Sequence, residues 1–479
     1  MMTSDIHAGQ LQAATLLLHP QHVLLKTGMV TDHAVLVENG QFKDVGPRAL
    51  LDTRYPHIPA LALPGKLLMP GMIDGHHHLT QSFGKSLAYG EPSEIFRRVW
   101  VPLEQSLDDE FVYQSAKLAA LESLRGGFTT VCDAGTRAKG EISAVANATS
   151  EAGVRCVLGI ICNDGGNQST PEQRAATLEL ADRFISDYAS HAMVHPSLAV
   201  SIPEVASDAM LHAVAQRCAE AGIIFQTHVN EHLASVERSV VARGMRPLEH
   251  LASVGALGPQ TLIAHATLLM PAELMLLQST DTAVSYNPVA SAWKGNNVAQ
   301  AGLMAAMGIR FALGTDSTRS DAFRLMDAAE AAQKFAYAMA AGDTSAGAGW
   351  TWLDHATHAG AAAIGQGARI GEIAVGKQAD FLIVDVDTPE LCTSIDLSWD
   401  LVRLAQRDQI VASFVDGKLR LFNGWPVDWD ARKLMREVAS TAHAAMAKAP
   451  IQRLHPTADA HRARTVAGSA VYPARGDLA

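Results

Sequence analysis

The stretch MPGMIDGHHHL, at residues 69–79, decides the fold. It is a short apolar run that follows a Pro-Gly break and ends in three histidines, which predicts a buried strand. Because successive side chains of a strand point to opposite faces, His76 and His78 share one face and His77 points the other way. In a closed parallel barrel that shared face is the lumen, where two imidazoles can hold one divalent metal. A His-rich surface turn is the alternative for this stretch taken alone.

Downstream of this stretch, strand-like runs alternate with helical ones. With the first strand they number eight, the count of a (β/α)8 barrel, and the β-α-β-α order implies a parallel sheet. The sequence therefore predicts an α/β fold of the TIM-barrel type. The predicted strands after the first lie at residues 129–132, 156–161, 198–202, 223–228, 262–265, 283–286 and 309–314. Predicted helices between them include residues 108–125, 171–188 and 207–221.

Shorter β-rich runs flank this long middle part. They fill residues 16–64, with Asn39-Gly40 as a turn signal, and they return at residues 379–385 and 410–418. Two such flanks predict one small β-sandwich domain assembled from both chain ends. The predicted domains are residues 1–66 and 370–425 for the two parts of the sandwich, 67–369 for the barrel, and 426–479 for a C-terminal helix and tail.

The composition of the 479 residues restricts the class of protein. Hydrophobic residues make up 48% and charged residues 18%, so a sizeable core is available. The net charge of -11 argues against nucleic-acid and anionic-membrane partners. The five cysteines form no C-x-x-C pair, which indicates reduced, buried thiols. No signal peptide and no apolar run of about 18 residues is evident. We therefore expect a cytoplasmic protein with no membrane partner.

Polar residues of the kinds that bind metals or move protons stand at the ends of predicted strands. His228 ends the fifth strand, three residues before Glu231, and His265 ends the sixth. Asp316 follows the eighth. Any one of these could be accidental, but together with the first strand they make four strand ends that converge at the C-terminal face of a barrel, where barrel enzymes have their active sites.

Taken in order, these pieces make the chain similar to the amidohydrolase superfamily. The similarity is to its metal-dependent deaminase and chlorohydrolase branch, which includes cytosine, guanine and S-adenosylhomocysteine deaminases and triazine hydrolases. It extends from about residue 16 to 425 and implies a proton-handling pair, Glu231 and His265. It also implies four metal ligands, namely His76, His78, His228 and Asp316. The matching pieces are PGMIDGHHHL at 70–79, THVNE at 227–231, AHA at 264–266, NP at 287–288, GTDS at 314–317 and GKQADF at 376–381.

The chemistry of these residue types agrees with the implied roles. Zn²⁺ binds imidazole nitrogen and carboxylate oxygen and, with an open position, lowers the pKa of a water to about 7. Asp316 can then take a proton from the attacking water while His265 holds its oxygen. Glu231 is placed to deliver a proton to a departing amine. We expect one divalent metal per chain, Zn²⁺ first and Fe²⁺ as the alternative.

Three other interpretations compete with this one. Residues 228–232 spell H-x-x-E-H, the inverzincin motif, but that motif needs a helix and the preceding run is of β type. Many relatives hold two metals bridged by a carbamylated lysine on strand four. This chain has no lysine between Lys139 and Lys294, so strand four cannot supply one and a mononuclear site is predicted. A non-catalytic barrel scaffold is the third, and the complete ligand set argues against it.

The loops after the first, seventh and eighth strands supply candidate substrate contacts. Lys85 lies near the place where family members often carry an arginine, and Arg319 stands near the predicted mouth, so either can pair with a carboxylate or phosphate. Trp293 can stack on a planar ring. Solvated charges and simple packing are the alternatives. The predicted substrate-binding residues are Gln81, Lys85, Trp293 and Arg319.

The predicted activity is hydrolysis of a C–N bond on a small nitrogen heterocycle, such as a purine, pyrimidine, pterin or triazine, with release of ammonia or an amine. A chlorohydrolase or amidase on the same scaffold is the alternative. Glu231 favours amine release, because a chloride leaving group needs no proton. The family resemblance also implies a homo-oligomer, with a dimer expected.

Overall fold

The structure, a computed structural model, describes residues 6–91, 95–343, 345, 347 and 349–466. Its first part is a group of strands in which β1 pairs antiparallel with β3 and parallel with β5. These N-terminal strands are β1 (Thr15–Leu25), β2 (Gly28–Val30), β3 (His33–Glu38), β4 (Gln41–Pro47) and β5 (Ala60–Pro70).

The second sheet is the barrel, in which each strand pairs in parallel with the next along the chain. The prediction of eight parallel strands is confirmed. The fourth begins and ends earlier than predicted, because the chain stays extended through Pro196, which pairs opposite Leu158 although proline has no N–H to donate. The strands are β6 (Met72–His77), β7 (Phe128–Asp133), β8 (Arg155–Ile161), β9 (Val194–Val200), β10 (Phe225–Val229), β11 (Thr261–His265), β12 (Ala283–Tyr286) and β13 (Phe311–Leu313).

The first and eighth barrel strands are held together by a buried aspartate. The Asp74 carboxylate accepts hydrogen bonds from the backbone N–H of Thr315 at 2.9 Å and from its hydroxyl at 2.6 Å. The next residue, Asp316, donates its N–H to the carbonyl of His76 at 2.9 Å. These contacts bring the ends of β6 and β13 together and fix the position of Asp316 relative to the first histidine.

Gly75 lies where the same two strands pack tightly against each other. A Cβ at this position would meet the Cβ of Ala312 at 2.5 Å and the carbonyl oxygen of Leu313 at 3.1 Å. We expect Gly75→Ala to lower the free energy of unfolding by about 1–3 kcal/mol, the usual cost of overpacking. Urea denaturation measures this. Gly258→Ala is the matched control, because no atom lies within 4 Å of its added methyl group, and equal midpoints for the two variants would contradict the prediction.

Helices surround the barrel strands, and several begin at clear capping residues. Asp108 accepts a hydrogen bond from the N–H of Phe111, and Thr170 forms a reciprocal capping box with Gln173. The three helices predicted above are confirmed to within one residue at each end. The helices are α1 (Arg48–Arg54), α2 (Val101–Gln105), α3 (Asp109–Arg125), α4 (Ser143–Ala152), α5 (Pro171–Tyr188), α6 (Asp208–Ala221), α7 (Leu233–Arg243), α8 (Pro247–Ser253), α9 (Pro271–Thr280), α10 (Pro288–Lys294), α11 (Ala301–Ala306), α12 (Ala322–Gln333), α13 (Met339–Ala341), α14 (Gly349–Ala356), α15 (His358–Ala363), α16 (Leu397–Arg403), α17 (Ala431–Lys448) and α18 (Ala458–Val466).

The C-terminal strands complete the smaller sheet. β14 pairs antiparallel with β5, so strands from both chain ends form one continuous sheet of nine strands. Side chains from both ends share its core, where the rings of Phe381 and Phe414 stack at 4.3 Å near Leu18 and Phe42. The predicted small β domain built from both chain ends is confirmed. Its C-terminal strands are β14 (Phe381–Asp385), β15 (Ile410–Val415), β16 (Lys418–Phe422) and β17 (Trp425–Pro426).

The end of the chain returns to the barrel. Helix α17 places Leu434 and Val438 in the same apolar cluster as Phe111 and Val112 of α3. The predicted C-terminal tail continues through an extended segment into α18, and residues 467–479 lie outside the described part of the chain. Within the described ranges no helix combines the length and apolar character needed to cross a membrane.

Candidate metal centre and active site

The polar residues predicted at strand ends meet at the C-terminal mouth of the barrel. Three of the positions involved have left-handed backbone, namely Asn230 (φ 52°), His265 (φ 74°) and Asp316 (φ 51°). Residues with side chains rarely adopt this conformation, and it is concentrated at functional sites. At each of these points the chain turns sharply as it leaves an apolar strand, which keeps the adjacent side chains at the mouth.

Four side chains converge there with donor atoms close enough to share one ion. The Nε2 atoms of His78 and His228 are 3.2 Å apart. Oδ1 of Asp316 lies 3.5 Å from Nε2 of His76 and 3.4 Å from Nε2 of His78. His77 points away, with its Nδ1 3.4 Å from the Ser317 hydroxyl. Two overlapping groups have all their donor atoms within 4.8 Å of one another, namely His76, His78 and His228, and His76, His265 and Asp316.

The surroundings of these donors fit a divalent metal. Nδ1 of His228 lies 2.7 Å from the carbonyl oxygen of Ser201, which leaves Nε2 free to face the cluster. The hydroxyl of Ser317 donates to the carbonyl of His78 at 2.7 Å and fixes its backbone. Among the described residues, Nε2 of His76 is buried with no hydrogen-bond partner, a costly state that a bound cation would relieve. Three imidazoles and one carboxylate are ligands that Zn²⁺ accepts.

Asp316 presents its two oxygens to different neighbours. Oδ1 faces the imidazoles of the ligand cluster, whereas Oδ2 accepts a hydrogen bond from Nζ of Lys294 at 2.6 Å and lies 3.9 Å from Nε2 of His265. One oxygen can therefore bind a metal while the other handles a proton.

Glu231 and His265 lie together on the same side. Oε2 of Glu231 is 3.7 Å from Nε2 of His265, and its Oε1 accepts a hydrogen bond from Lys294 at 2.8 Å. The amide of Asn287 is oriented by the Ser285 hydroxyl, which donates to its Oδ1 at 2.8 Å. The amide nitrogen then donates to Nδ1 of His265 at 3.2 Å. This network assigns the imidazole proton to Nε2, the atom that faces both carboxylates.

Burial and charge set the ionisation of these groups. Burial lowers the pKa of His265 to about 4, so this imidazole is neutral near pH 7. Burial alone would raise the pKa of Asp316 and of Glu231, but their cationic and imidazole neighbours, chiefly Lys294 and His265, lower both. Burial alone would lower the pKa of the Lys294 ammonium, but the neighbouring carboxylates of Asp316 and Glu231 raise it.

A cavity opens onto this cluster. The candidate metal ligands His78, His228 and Asp316 contribute to its wall together with Glu231. Gln81, a predicted substrate contact, also lines it. Further lining residues are Phe96, Arg97, Trp100, Arg137, Glu204, His232 and Lys294.

The other three predicted substrate contacts do not border this cavity. Nζ of Lys85 turns away and forms an ion pair with Glu122, at 2.6 and 2.8 Å from its two oxygens. The indole of Trp293 packs against the ring of Tyr89, with ring centroids 5.2 Å apart. Trp293 and Arg319 instead line a separate groove beside α12. These residues follow strands that carry candidate ligands, but that position in the sequence did not determine the direction of their side chains.

Two residues absent from the predicted site are prominent in the structure. Lys294 bridges Glu231 and Asp316, and Arg137 donates to the Ser201 hydroxyl at 3.1 Å beside the carbonyl that holds His228. Lys294 is the single lysine between Lys139 and Lys334, and this isolation is the sequence feature that could have identified it. Arg137 follows β7 by four residues, the strand-end position that drew attention to the other site residues.

The comparison with known families agrees with this geometry. The sequence model of the amidohydrolase family matches residues 67–420, well over half of the chain. The chain belongs to the amidohydrolase family. The resemblance identified from the sequence is therefore confirmed, and the match spans every barrel strand of this amidohydrolase together with its ligand cluster.

Individual relatives of this amidohydrolase are deaminases. It is 29% identical over 395 residues to a 5-methylthioadenosine/S-adenosylhomocysteine deaminase of Syntrophobacter fumaroxidans, covering 81% of this chain and 87% of the relative. It is 28% identical over 433 residues to a 5'-deoxyadenosine deaminase of Methanothermobacter thermautotrophicus, covering 88% and 96%.

Solved structures show the same architecture. An adenosine deaminase of Xanthomonas campestris with bound zinc superimposes with a TM-score of 0.81 at 26% identity, covering 90% of this chain and 98% of that one. The atrazine chlorohydrolase of Arthrobacter aurescens TC1, complexed with zinc, gives a TM-score of 0.79 at 19% identity, covering 90% and 100%. The second of these similarities is one of fold alone.

If the site is mononuclear as predicted, purified protein loaded with zinc should contain about one ion per chain. The reason is that the described residues 194–202, which form and follow strand four, contain no lysine to bridge a second ion. Elemental analysis measures the ratio. A ratio near two would contradict the prediction, and a ratio near zero would indicate a scaffold.

Proposed function

We propose that this amidohydrolase is a metal-dependent hydrolytic deaminase that converts an amino-substituted nitrogen heterocycle into its oxo form and releases ammonia. The observation that carries the proposal is the position of Glu231, a partly buried carboxylate on the cavity wall, 3.7 Å from His265, which itself lies 3.9 Å from Asp316. A leaving amine needs a proton, and this is where one can be delivered. The deaminases of similar sequence support the same reaction.

In this proposal His76, His78, His228 and Asp316 hold one divalent ion, with Zn²⁺ favoured by the ligand types and by the zinc in the similar structures. When bound, such an ion acts as a Lewis acid that activates water for attack on the ring carbon.

The protein groups then manage two protons. A C–O bond forms, the C–N bond breaks, and the two protons of the water end on a ring nitrogen and on the departing nitrogen. Oδ2 of Asp316 takes the first proton, because its Oδ1 faces the ligand imidazoles. The Nε2–H of His265 orients the attacking oxygen. Glu231, ionised beside Lys294, takes the second proton and passes it to the departing nitrogen, and the first proton moves from Asp316 to the ring nitrogen.

Gln81 lies on the wall of the cavity, where it can contact the substrate. The relatives act, by their names, on adenosine-type substrates, which makes the purine nucleosides the first candidates. We extend the proposal to a homodimer, because Phe335 and Met339 leave 74% and 69% of their surface exposed near the groove beside α12. Size-exclusion chromatography with light scattering tests the dimer. A cytoplasmic location stays a prediction.

The deciding experiment is ammonia release by zinc-loaded protein across purines and purine nucleosides, pyrimidines, pterins and triazines. We expect at least one amino-substituted member to give ammonia and the oxo product in equal amounts. Chlorinated triazines and simple amides serve as comparison substrates. Turnover of those compounds alone would contradict deamination and support the chlorohydrolase or amidase alternative.

A further inference from the structure

A further buried carboxylate, that of Glu91, has no part in the mechanism above. The side chain of Glu91 is fully buried, and it precedes the segment that forms one wall of the cavity. It accepts hydrogen bonds from Arg98 at 2.9 Å and from the distant C-terminal segment. The C-terminal donors are the backbone N–H of Leu454 at 2.9 Å, the backbone N–H of His455 at 3.0 Å and Nε of Arg453 at 3.3 Å.

Backbone contacts extend this junction. We call residues 452–455 the C-terminal clamp. Gln452 donates its N–H to the carbonyl of Arg98 at 2.9 Å, and Nη1 of Arg98 donates to the carbonyl of Gln452 at 2.8 Å. Gly90 has a φ of +72°, and a Cβ there would approach the ring of His455 at 3.2 Å. The clamp therefore contacts the chain before Glu91, at Gly90, and after it, at Arg98.

The segment that the clamp contacts is a wall of the substrate cavity. A short π-helical stretch, Phe96–Trp100, contributes Phe96, Arg97 and Trp100 to the lining, and Arg98 between them binds the clamp. Such π-helical turns are frequent at functional sites. The ring of Phe96 lies against the guanidinium of Arg137 at 4.4 Å, and Arg137 reaches the Ser201 hydroxyl next to the carbonyl that contacts His228. Packing is thus continuous from the clamp to a metal ligand.

The buried charge of Glu91 is stable only while the donors of the clamp stay in place. A buried carboxylate is stable only when charged and polar donors satisfy it. Burial alone would raise the pKa of Glu91, but its backbone and arginine donors lower it to about 2. If the clamp is released, most of these donors are lost, and the chain around Glu91 must rearrange to bring water to the carboxylate.

We propose that Glu91 is a positioning residue that binds the C-terminal clamp and thereby holds Phe96–Trp100 in place as a wall of the substrate cavity. The proposal rests on the proposed function only in naming the cavity as the substrate site. It gives the chain beyond the family-matched residues 67–420 a role in substrate binding.

The test is a Glu91→Gln variant of the full-length, zinc-loaded protein. The glutamine amide turns two donors toward N–H groups that already donate, so the clamp should detach. Losing hydrogen bonds to a charged group should raise KM and speed amide exchange at residues 96–100 and 452–455 by about tenfold each. The value of kcat and the zinc content should stay the same, because the metal ligands and Glu231 are untouched. Hydrogen-exchange mass spectrometry and steady-state kinetics measure these effects.

Two further variants complete the design. Glu437→Gln removes an exposed carboxylate of α17 whose lysine contact, Lys433 at 3.8 Å, lies within the same helix, and it should change neither readout. Arg453→Ala keeps the charge of Glu91 and removes one donor, so it should shift both readouts in the same direction by less.

Each outcome is decisive. Faster exchange at residues 452–455 without any change at residues 96–100, or an unchanged KM in both Glu91→Gln and Arg453→Ala, would overturn the positioning role. A wild-type protein that releases ammonia from no heterocycle would instead contradict the proposed function, and the exchange measurements would still decide whether the clamp holds the cavity wall.

Discussion

A Glu231→Gln variant is expected to retain its metal and to lose about 10²–10⁴-fold in kcat, the usual contribution of a positioned proton donor. The side chain is outside the ligand set, since its polar contacts are Lys294 at 2.8 Å, Asn296 at 3.4 Å and the imidazoles of His265 and His232, each at 3.7 Å. Glutamine keeps the shape of the residue and an acceptor for Lys294. It cannot carry a proton to the leaving nitrogen, so the chemical step should fail while the substrate still binds.

The measurements are kcat on the best deaminase substrate and zinc content by elemental analysis. Glu237→Gln is the matched control, because it neutralises an exposed glutamate, the fifth residue of α7, and should leave both values unchanged. A Glu231→Gln variant with wild-type kcat would remove this residue from the mechanism. Loss of the zinc would contradict its position outside the ligand set.

The metal cluster could be predicted from sequence because each of its members stands at or just beyond the end of an apolar strand. Alternation along the strand places His76 and His78 on one face and His77 on the other. The topology of a parallel barrel then brings the ends of strands that are distant in sequence to the same mouth. His228, His265 and Asp316 follow from that one geometric rule, without knowledge of loop structure.

Substrate contacts could not be predicted in the same way, because loops and short helices direct their side chains individually. Lys85 lies seven residues after His78 but turns to Glu122, since the helical turn Ser82–Ala88 packs onto α3. Lys294 is the last residue of α10 and reaches back over the mouth. Successive residues of a helix differ by about 100° in direction, so a shift of one position decides which of Trp293 and Lys294 enters the site.

The contact between Glu91 and the clamp could not be predicted from the sequence either. Glu91 and the clamp residues that it binds are more than 350 residues apart in sequence. Neither segment has a periodic pattern that predicts a contact. The last thirty residues mix Pro, Gly, Arg and His with little periodicity, so no packing contact is predicted for them. What holds residues 452–455 is hydrogen bonding to one buried carboxylate, an interaction that hydrophobic patterning does not report.

The largest expected loss of stability comes from Arg155→Met, at about 3–5 kcal/mol, the cost of breaking a buried ion pair by removing one partner. Arg155 begins β8 of the barrel, and Asp380 immediately precedes β14 of the smaller sheet. Both side chains are about 1% exposed, and they form two hydrogen bonds, at 2.8 and 3.1 Å. Asp380 also accepts from the N–H of Asp416 at 2.7 Å. Without the guanidinium, a carboxylate stays buried between the two sheets with only backbone to satisfy it.

Urea denaturation followed by circular dichroism measures this loss, and two comparisons separate its causes. Arg217→Met breaks an exposed pair with Asp182, whose side chains are 29% and 54% exposed, and should cost less than about 1 kcal/mol. The double variant Arg155→Met with Asp380→Asn removes both charges and should recover part of the stability, because the uncompensated charge accounts for most of the cost. If the double variant loses as much free energy of unfolding as Arg155→Met and Asp380→Asn together, the loss comes from packing around the long side chain rather than from the buried charge.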